Sequence, residues 1–204
     1  IRIRGTARLR GLKHTVIADR IETGTYLLAV AAAGGDVVLK GAVEEHLRAL
    51  IAAMKKAGVR VTRHPKGLRV VMKGRPKAVS VRTEVHPGFP TDLQAPWMSV
   101  MALAKGTSRI REDIFERRFL HAAELGRLGA DIRASGNTAA VAGVAQLRGA
   151  DIMASDIRAG AALIVAGLAA KGRTVIQRVY HIDRGYERVE RVLRGLGARI
   201  RRTA

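Results

Sequence analysis

Three stretches of the chain share one pattern, in which an Asp precedes a long run of small and apolar residues that ends near a Gly. They begin at Asp19, Asp92 and Asp156, and the third reads SDIRAGAALIVAGLAAKGRTV. Because apolar residues occupy almost every face of the expected helix, the pattern predicts three inner helices that are buried on all sides. Each is followed by a short run rich in strand-forming residues, GGDVVLKG, GTSRIRE and GRTVIQRVY.

A second helix of a different kind is predicted after each of these runs. Apolar residues recur there with helical spacing on one face only, which favours a helix that covers a sheet on its solvent side. Gly58, Gly129 and Gly197 follow and suit the left-handed position that ends a helix. The apolar positions are Leu47, Leu50, Ile51 and Met54, then Phe119, Ala122, Leu125 and Leu128, then Tyr186, Val189, Leu193 and Leu196.

The repetition predicts the fold class and the domain organisation. We expect an α/β (α+β) fold, a pseudo-threefold domain of three βαβαββ repeats with buried inner helices, at about 18–74, 75–143 and 144–204. Residues 1–17 alternate charged and apolar positions and predict strands before the first inner helix. The third repeat stops at GARIRRTA without a last strand, which predicts a partner segment elsewhere in a longer chain.

Composition limits the possible chemistry and location. Aromatic residues make up only 3% of the 204 residues, so the core must consist mainly of Ala, Val, Leu and Ile. The absence of Cys excludes disulfides, thiolate metal sites and a cysteine nucleophile within these residues, and it fits a cytoplasmic location. The uncharged run Ala159–Ala170 is shorter than the roughly 20 residues needed to span a bilayer, so no membrane partner is expected.

The formal net charge of +20 raises a second possible function. Such an excess attracts polyanions, and a non-catalytic basic module that binds nucleic acid or another polyanion is the alternative interpretation. The basic residues are spread along the whole chain, however, and few aromatics are interleaved with them for stacking on single strands. No metal-ligand spacing and no phosphate-loop motif is present, so neither a metal nor a cofactor is predicted.

The Asp at the start of each inner helix has two interpretations. A carboxylate in this position commonly caps the helix by accepting the N–H groups of its first turn. Three parallel inner helices would also bring their N-termini to one end of the domain, where N–H groups and positive dipole ends attract an anion. Arginine is suited to clamp a phosphate or carboxylate, and four arginines lie near helix starts, namely Arg20, Arg118, Arg158 and Arg184.

Several long segments resemble one known family. HPGFPTDLQA, DIFERRFLH, ELGRLGADI, SDIRAGAALIVAGLAAKG and YHIDRGYERVERVLRGLGARI are similar to the UDP-N-acetylglucosamine 1-carboxyvinyltransferase family, and the likeness covers essentially the whole chain. The resemblance implies two similar domains of three βαβαββ units with a substrate cleft between them, of which this chain would be the second half. Residues 1–17 would then be terminal strands of the preceding domain and the crossover, and 18–204 would be the second domain. It also implies transfer of the enolpyruvyl group of phosphoenolpyruvate to the sugar 3-hydroxyl, in peptidoglycan precursor synthesis.

The resemblance implies two catalytic carboxylates. Asp92, in FPTD, matches the family's carboxylate beside the attacking hydroxyl, where it would act as general base or proton relay. Asp156 matches the first residue of a cleft-facing D-x-R at the third inner helix.

It also implies a set of substrate-binding residues in addition to Asp92. Ile114 would contact the nucleotide sugar through its backbone, and Glu116 and Arg118 would line the same region. Arg158 is the last residue of the D-x-R, and Arg184 in DRGYER would close on the phosphate or carboxylate of phosphoenolpyruvate.

The resemblance implies that other parts of the site lie in the first domain, namely a loop with a Cys general acid, a Lys–Asn pair that binds phosphoenolpyruvate, and the uridine-binding segment. We therefore expect this chain alone to have no turnover, with the first domain as its partner. Three positions depart from the family pattern: Arg117 replaces a common Asn, Pro96 a usual Gln and Gly160 a frequent Ser. Pro96 predicts a displaced start of the second inner helix, because proline has no N–H to donate.

Overall fold

The computed structural model describes residues 1–203 and has the predicted mixed α/β fold. Each repeat combines one inner helix with short strands and at least one outer helix. The first repeat holds α1 (Arg20–Ala33), β1 (Gly35–Lys40), α2 (Arg48–Lys56), β2 (Arg60–His64) and β3 (Gly67–Met72).

The second and third repeats follow the same plan. The second holds β4 (Val81–Arg82), α3 (Gln94–Met101), β5 (Thr107–Arg111), α4 (His121–Arg127), β6 (Asp131–Ser135) and β7 (Thr138–Ala142). The third holds β8 (Asp151–Met153), α5 (Ile157–Ala169), β9 (Val175–Gln177), α6 (Tyr180–Asp183) and α7 (Val189–Gly195).

The pairing of the strands shows that the repeats are equivalent. The first sheet has the order β1-β3-β2, and the second contains the same antiparallel arrangement as β5-β7-β6. In the second sheet β4 lies parallel to β5 on the outer side, and in the third sheet β8 lies parallel to β9 in the same way. The prediction of a threefold-repeated unit is therefore confirmed, with the second repeat carrying all the strands of the plan.

The strands predicted within residues 1–17 are not formed. Residues 1–19 are exposed and contain neither helix nor strand. Alternation of charged and apolar residues favours a strand only where a neighbouring strand can accept and donate its backbone hydrogen bonds. No strand among residues 1–203 pairs with this segment, so the alternation alone does not order it.

The three inner helices pack directly against one another and form the core. Leu28 of α1, Trp97 of α3 and Leu163 of α5 are completely buried. Close approach depends on small residues, since a Cβ placed on Gly24 would lie 2.4 Å from a methyl carbon of Leu93. The Ser99 hydroxyl donates a 2.8 Å hydrogen bond from α3 to the carbonyl oxygen of Ala162 in α5. The prediction that the inner helices are buried all round is confirmed.

Two departures from the family pattern have a local explanation in the packing. A 3-10 turn at Thr91–Leu93 precedes α3, so Pro96 is the third residue of the helix, where its missing N–H would have no intrahelical partner. The helix start is thus displaced beyond Asp92, as the proline predicts. At Gly160 a Cβ would lie 2.5 Å from Cγ1 of Ile182, so a larger residue there requires Ile182 to move.

The third departure places an unfavourable residue in a left-handed backbone conformation. Arg117 has φ of 51° in the segment that leads to α4. Among non-glycine residues, Asn tolerates this conformation better than residues with long side chains. Asn, the residue common in the family, therefore fits the backbone geometry better than Arg117 does.

A single buried imidazole stands out among the apolar residues at the outer side of the core. His121 begins α4, is only 3% exposed, and its Nε2 has no hydrogen-bond partner within residues 1–203. Its ring packs tilted against Phe119, with the ring centroids 6.5 Å apart. Burial lowers the pKa of His121 to about 4, against an opposing effect of Asp156. The imidazole is therefore neutral at physiological pH.

Replacing Arg117 by Asn should stabilise the chain. Relief of the left-handed strain is expected to raise the free energy of unfolding by about 1 kcal/mol, or the melting temperature by about 3 °C. Denaturant unfolding followed by circular dichroism measures the change. Arg117→Ala is the matched control, because it removes the same charge without favouring the left-handed conformation. An equal gain in both variants would show that charge, and not backbone geometry, is responsible.

The buried His121 should make the chain less stable in mild acid. Its folded pKa lies below the ordinary value of about 6.5, so the unfolded state binds the proton first as the pH falls. Stability is expected to decrease from pH 6.5 towards pH 4, by up to about 3 kcal/mol from this group. His121→Phe should lose less stability over this range than the parent, whereas His14→Gln, in the exposed N-terminal segment, should behave as the parent does. Equal pH dependence of all three would contradict the assignment.

Candidate functional site

The starts of the three inner helices lie together at one end of the domain. The Nε atom of Arg158, in the first turn of α5, is 3.0 Å from Oδ1 of Asp92, just before α3. Gly24, in the first half of α1, lies against Leu93, the residue that follows Asp92. The N-termini of the three inner helices therefore lie near a common region.

Two of the three aspartates cap their helices. Asp19 accepts hydrogen bonds from two backbone N–H groups of the first turn of α1. Asp156 accepts from the backbone N–H groups of Arg158 at 2.8 Å and Ala159 at 2.9 Å, and from the Ser155 hydroxyl. Burial alone would raise the pKa of Asp156, but these hydrogen bonds hold it below its usual value. Both residues thus match the capping interpretation.

Asp92 differs from the other two, because the displaced helix start leaves its carboxylate to interact with side chains. Its Oδ1 accepts a 3.2 Å hydrogen bond from Nη2 of Arg118 and forms the 3.0 Å ion pair with Arg158. The two guanidinium groups come from different repeats, and both are about three-quarters buried. Asp92 therefore joins the second repeat to the third at the mouth of the site.

A pocket of about 440 Å³ opens beside this ion pair. It brings together five of the residues predicted from the sequence, Asp92, Glu116, Arg118, Asp156 and Arg158. Both signs of charge are present, with carboxylates and guanidinium groups on facing segments. The remaining lining residues are Ala95, Phe115, Arg117, Leu120, His121, Ile157 and Ala159.

Two predicted binding residues lie outside this pocket. Ile114 is 37% exposed and lines a neighbouring, wider depression of about 580 Å³ together with the segment 82–88. Arg184 follows α6 and is exposed. The next residue, Gly185, approaches the side chain of Ile157, which lines the first pocket. Arg184 is therefore near the same end of the domain without contributing to the pocket wall.

Phe115 and Glu112 help to hold Arg118 in place, and neither was predicted from the sequence as a site residue. The Arg118 guanidinium lies over the ring of Phe115, 4.6 Å from its centroid, in a cation–π contact. Glu112, at the end of β5, accepts the backbone N–H of Phe115 and is almost completely buried. The sequence does show that Glu112 is an acidic residue directly after an alternating strand, in SRIREDIF. That pattern does not indicate that its side chain is buried.

A buried pair of hydroxyl groups lies behind Arg158. Thr25 of α1 and Tyr186, which precedes α7, are 2.8 Å apart between Oγ1 and the phenolic oxygen. Burial raises the pKa of Tyr186, while the hydrogen bond with Thr25 and the charge of Arg158 oppose the rise. The first repeat thus reaches the same charged cluster through this pair.

Metal-binding clusters and membrane-spanning helices are both absent from the described residues. Within residues 1–203 there is no group of three or more His, Asp or Glu side chains arranged to bind a metal ion. None of the helices in that range combines the length and the apolar character needed to cross a membrane.

Comparison with known proteins gives consistent relatives. The chain is 59% identical over 203 residues to the UDP-N-acetylglucosamine 1-carboxyvinyltransferase of Maricaulis maris, covering 99% of this chain and 48% of that protein. It is 57% identical to the protein of the same name from an Anaeromyxobacter species, with the same coverage. The chain therefore spans about half the length of the curated relatives it matches.

A solved structure and a family model agree with these relatives. The crystal structure of the enolpyruvyl transferase NikO from Streptomyces tendae is similar with a TM-score of 0.82 and 30% identity, over 93% of this chain and 45% of that chain. The model of the EPSP synthase (3-phosphoshikimate 1-carboxyvinyltransferase) family matches residues 1–193. Because that match covers nearly all of the sequence, this chain belongs to the EPSP synthase family.

Proposed function

We propose that this chain forms half of a transferase that moves the enolpyruvyl group of phosphoenolpyruvate to the 3-hydroxyl of UDP-N-acetylglucosamine. The names of relatives at 59% and 57% identity support this substrate pair. The observation that carries the proposal is the position of the Asp92 carboxylate between the guanidinium groups of Arg118 and Arg158, at the wall of a pocket.

Asp92 is suited to accept a proton from the attacking hydroxyl. Both of its ion pairs involve Oδ1, and no residue among 1–203 donates a hydrogen bond to Oδ2. The two arginines fix the direction of the carboxylate, which leaves Oδ2 as the oxygen available to a sugar hydroxyl. A carboxylate within hydrogen-bond reach of the hydroxyl can accept its proton as the C–O bond forms.

The reaction is an addition followed by an elimination. The sugar oxygen bonds to C2 of phosphoenolpyruvate while C3 takes up a proton, and Asp92 accepts the hydroxyl proton. Loss of a proton from C3 and departure of phosphate then restore the double bond. Arg118 and Arg158, which line the pocket, would supply fixed positive charge beside the phosphate and stabilise it as it departs.

The remaining predicted residues extend the proposed site beyond the pocket. Glu116 in the pocket wall and Ile114 beside it would hold the nucleotide sugar. Arg184 would close on phosphoenolpyruvate from its exposed position. We keep Asp156 as a predicted second catalytic group, although its observed contacts are those of a helix cap.

The proposal includes a second domain and a cellular setting. Residues 1–17 would be the crossover from a first domain, and 18–204 would form the second domain, with the substrate cleft between the two. The first domain would supply the acid that protonates C3, and the reaction would take place in the cytoplasm as part of peptidoglycan precursor synthesis. The alternative of a polyanion-binding module has less support, because the relatives at 59% and 57% identity are named as carboxyvinyltransferases.

Grafting this chain onto the N-terminal half of the Maricaulis maris relative tests the proposal. The isolated chain should release no phosphate from phosphoenolpyruvate and UDP-N-acetylglucosamine, whereas the chimera should release it. In the chimera Asp92→Asn should lower kcat by about a hundred- to ten-thousand-fold, because Asn cannot accept the proton. Steady-state phosphate release measures all three.

The control variant is Asp36→Asn, which removes an exposed carboxylate paired with Arg69 on the first sheet, far along the chain from the pocket. It should leave kcat unchanged. Circular dichroism and the melting temperature establish that each chimera is folded. A folded Asp92→Asn chimera whose kcat equals that of the unsubstituted chimera would contradict the role assigned to this carboxylate.

A further inference from the structure

Glu112 is a buried carboxylate that the reaction described above does not use. It follows β5 and is 2% exposed, yet both of its oxygens are satisfied. Oε1 accepts hydrogen bonds from the Thr83 hydroxyl and the Ile114 N–H at 2.9 Å and from the Phe115 N–H at 3.1 Å. Oε2 accepts one from the Thr91 hydroxyl at 2.9 Å. A buried charge is tolerated at this position because four donors surround it.

These four donors come from two segments that form the site. Thr83 and Thr91 flank the loop that ends at Asp92, and the Ile114 and Phe115 amides begin the segment that carries Glu116 and Arg118. The two segments meet a second time where Arg118 donates to Asp92. The two segments are thus joined twice. Glu112 joins them through buried hydrogen bonds, and the Asp92–Arg118 pair joins them at the pocket wall.

The geometry limits how far Asp92 can move relative to its neighbours. Thr91 is adjacent to Asp92 in sequence, so its hydrogen bond to Glu112 fixes the backbone from which the Asp92 side chain projects. The same carboxylate fixes the backbone at Ile114, which lines the neighbouring depression. One buried group therefore sets the distance between the proposed base and a proposed sugar contact.

We propose that Glu112 is a positioning residue. It holds Asp92 at a fixed distance from Ile114 and Arg118, so that residues of both segments can contact the nucleotide sugar at the same time. This inference rests on the proposed function. It assigns no proton transfer to Glu112, whose oxygens face protein donors and not the pocket wall.

Three variants of the 204-residue chain separate positioning from general stability. Glu112→Leu removes all four hydrogen bonds at similar volume. Glu112→Gln keeps a carbonyl oxygen for three donors, and its amide can donate to the Thr91 oxygen. Thr91→Val removes only the connection to Asp92. Asp131→Asn, which changes an exposed carboxylate paired with Arg133 on β6, is the control.

The first measurement is amide hydrogen exchange below the melting temperature. In Glu112→Leu the Ile114 and Phe115 amides should exchange roughly ten- to a hundredfold faster, the factor expected for losing a hydrogen bond to a charged acceptor. Glu112→Gln should restore most of the protection. Thr91→Val should leave both amides protected but shift the ¹³Cγ resonance of Asp92, and Asp131→Asn should change neither.

The second measurement is the affinity for UDP-N-acetylglucosamine by calorimetry, with the same variants placed in the chimera that carries the N-terminal half of the Maricaulis maris relative, because the proposed cleft lies between the two domains. Glu112→Leu should weaken binding at least tenfold, Glu112→Gln should bind nearly as the parent does, and Thr91→Val should bind about fivefold more weakly. Parental affinity in a folded Glu112→Leu would overturn the proposal. If Glu112→Leu does not fold, parental affinity together with an unshifted Asp92 resonance in Thr91→Val would overturn it.

The two measurements also separate this inference from the proposed function. If the unsubstituted chimera binds no UDP-N-acetylglucosamine, the sugar site proposed for this half is wrong. Exchange at Ile114 and Phe115 and the Asp92 resonance then still decide whether Glu112 couples the two segments, since neither requires a ligand. Unchanged exchange in Glu112→Leu and an unchanged resonance in Thr91→Val would refute the coupling in that case too.

Discussion

The mutual packing of three apolar helices is the constraint on which the rest of the structure depends. Small residues such as Gly24 and Gly160 let the helices and their neighbours approach closely, and a hydrogen bond from Ser99 to the Ala162 carbonyl joins two of them. Once the helices lie side by side, their starts lie at one end of the domain. The charged residues beside those starts are brought together as a consequence, although they are far apart in the sequence.

An Asp precedes each of the three inner helices, but these three aspartates have two different roles in the structure. Asp19 and Asp156 cap their helices with backbone hydrogen bonds, whereas the 3-10 turn at Thr91–Leu93 moves the start of α3 past Asp92. Pro96 favours this displaced start, because it lacks the N–H that an earlier helix would need. The carboxylate without a capping role is then available to Arg118 and Arg158. A small change in helix start thus distinguishes a structural residue from a candidate for chemistry.

Most of the fold could be predicted from apolar periodicity, because a helix that is apolar on all sides must be surrounded by other elements of the chain, and few arrangements of the elements allow that. The site was predictable in part: Asp92, Arg118 and Arg158 were singled out and do meet, whereas Arg184 and Ile114 lie outside the pocket. Glu112 was not singled out, since its burial depends on contacts between segments that are distant in sequence. Residues 1–17 form no strand within residues 1–203, because strand formation depends on a pairing partner and not only on alternation, and their assignment to a preceding domain stays a prediction.

The central claim is that groups from separate repeats form one site for an anionic sugar nucleotide. The most direct test is a titration with UDP-N-acetylglucosamine of the chimera in which this half is isotope-labelled, followed by nuclear magnetic resonance at two salt concentrations. The account predicts saturable shifts confined to the region of Asp92, Glu116, Arg118 and Arg158, with a modest dependence on salt. Shifts spread over the basic surfaces of the sheets, and lost steeply as salt increases, would contradict it.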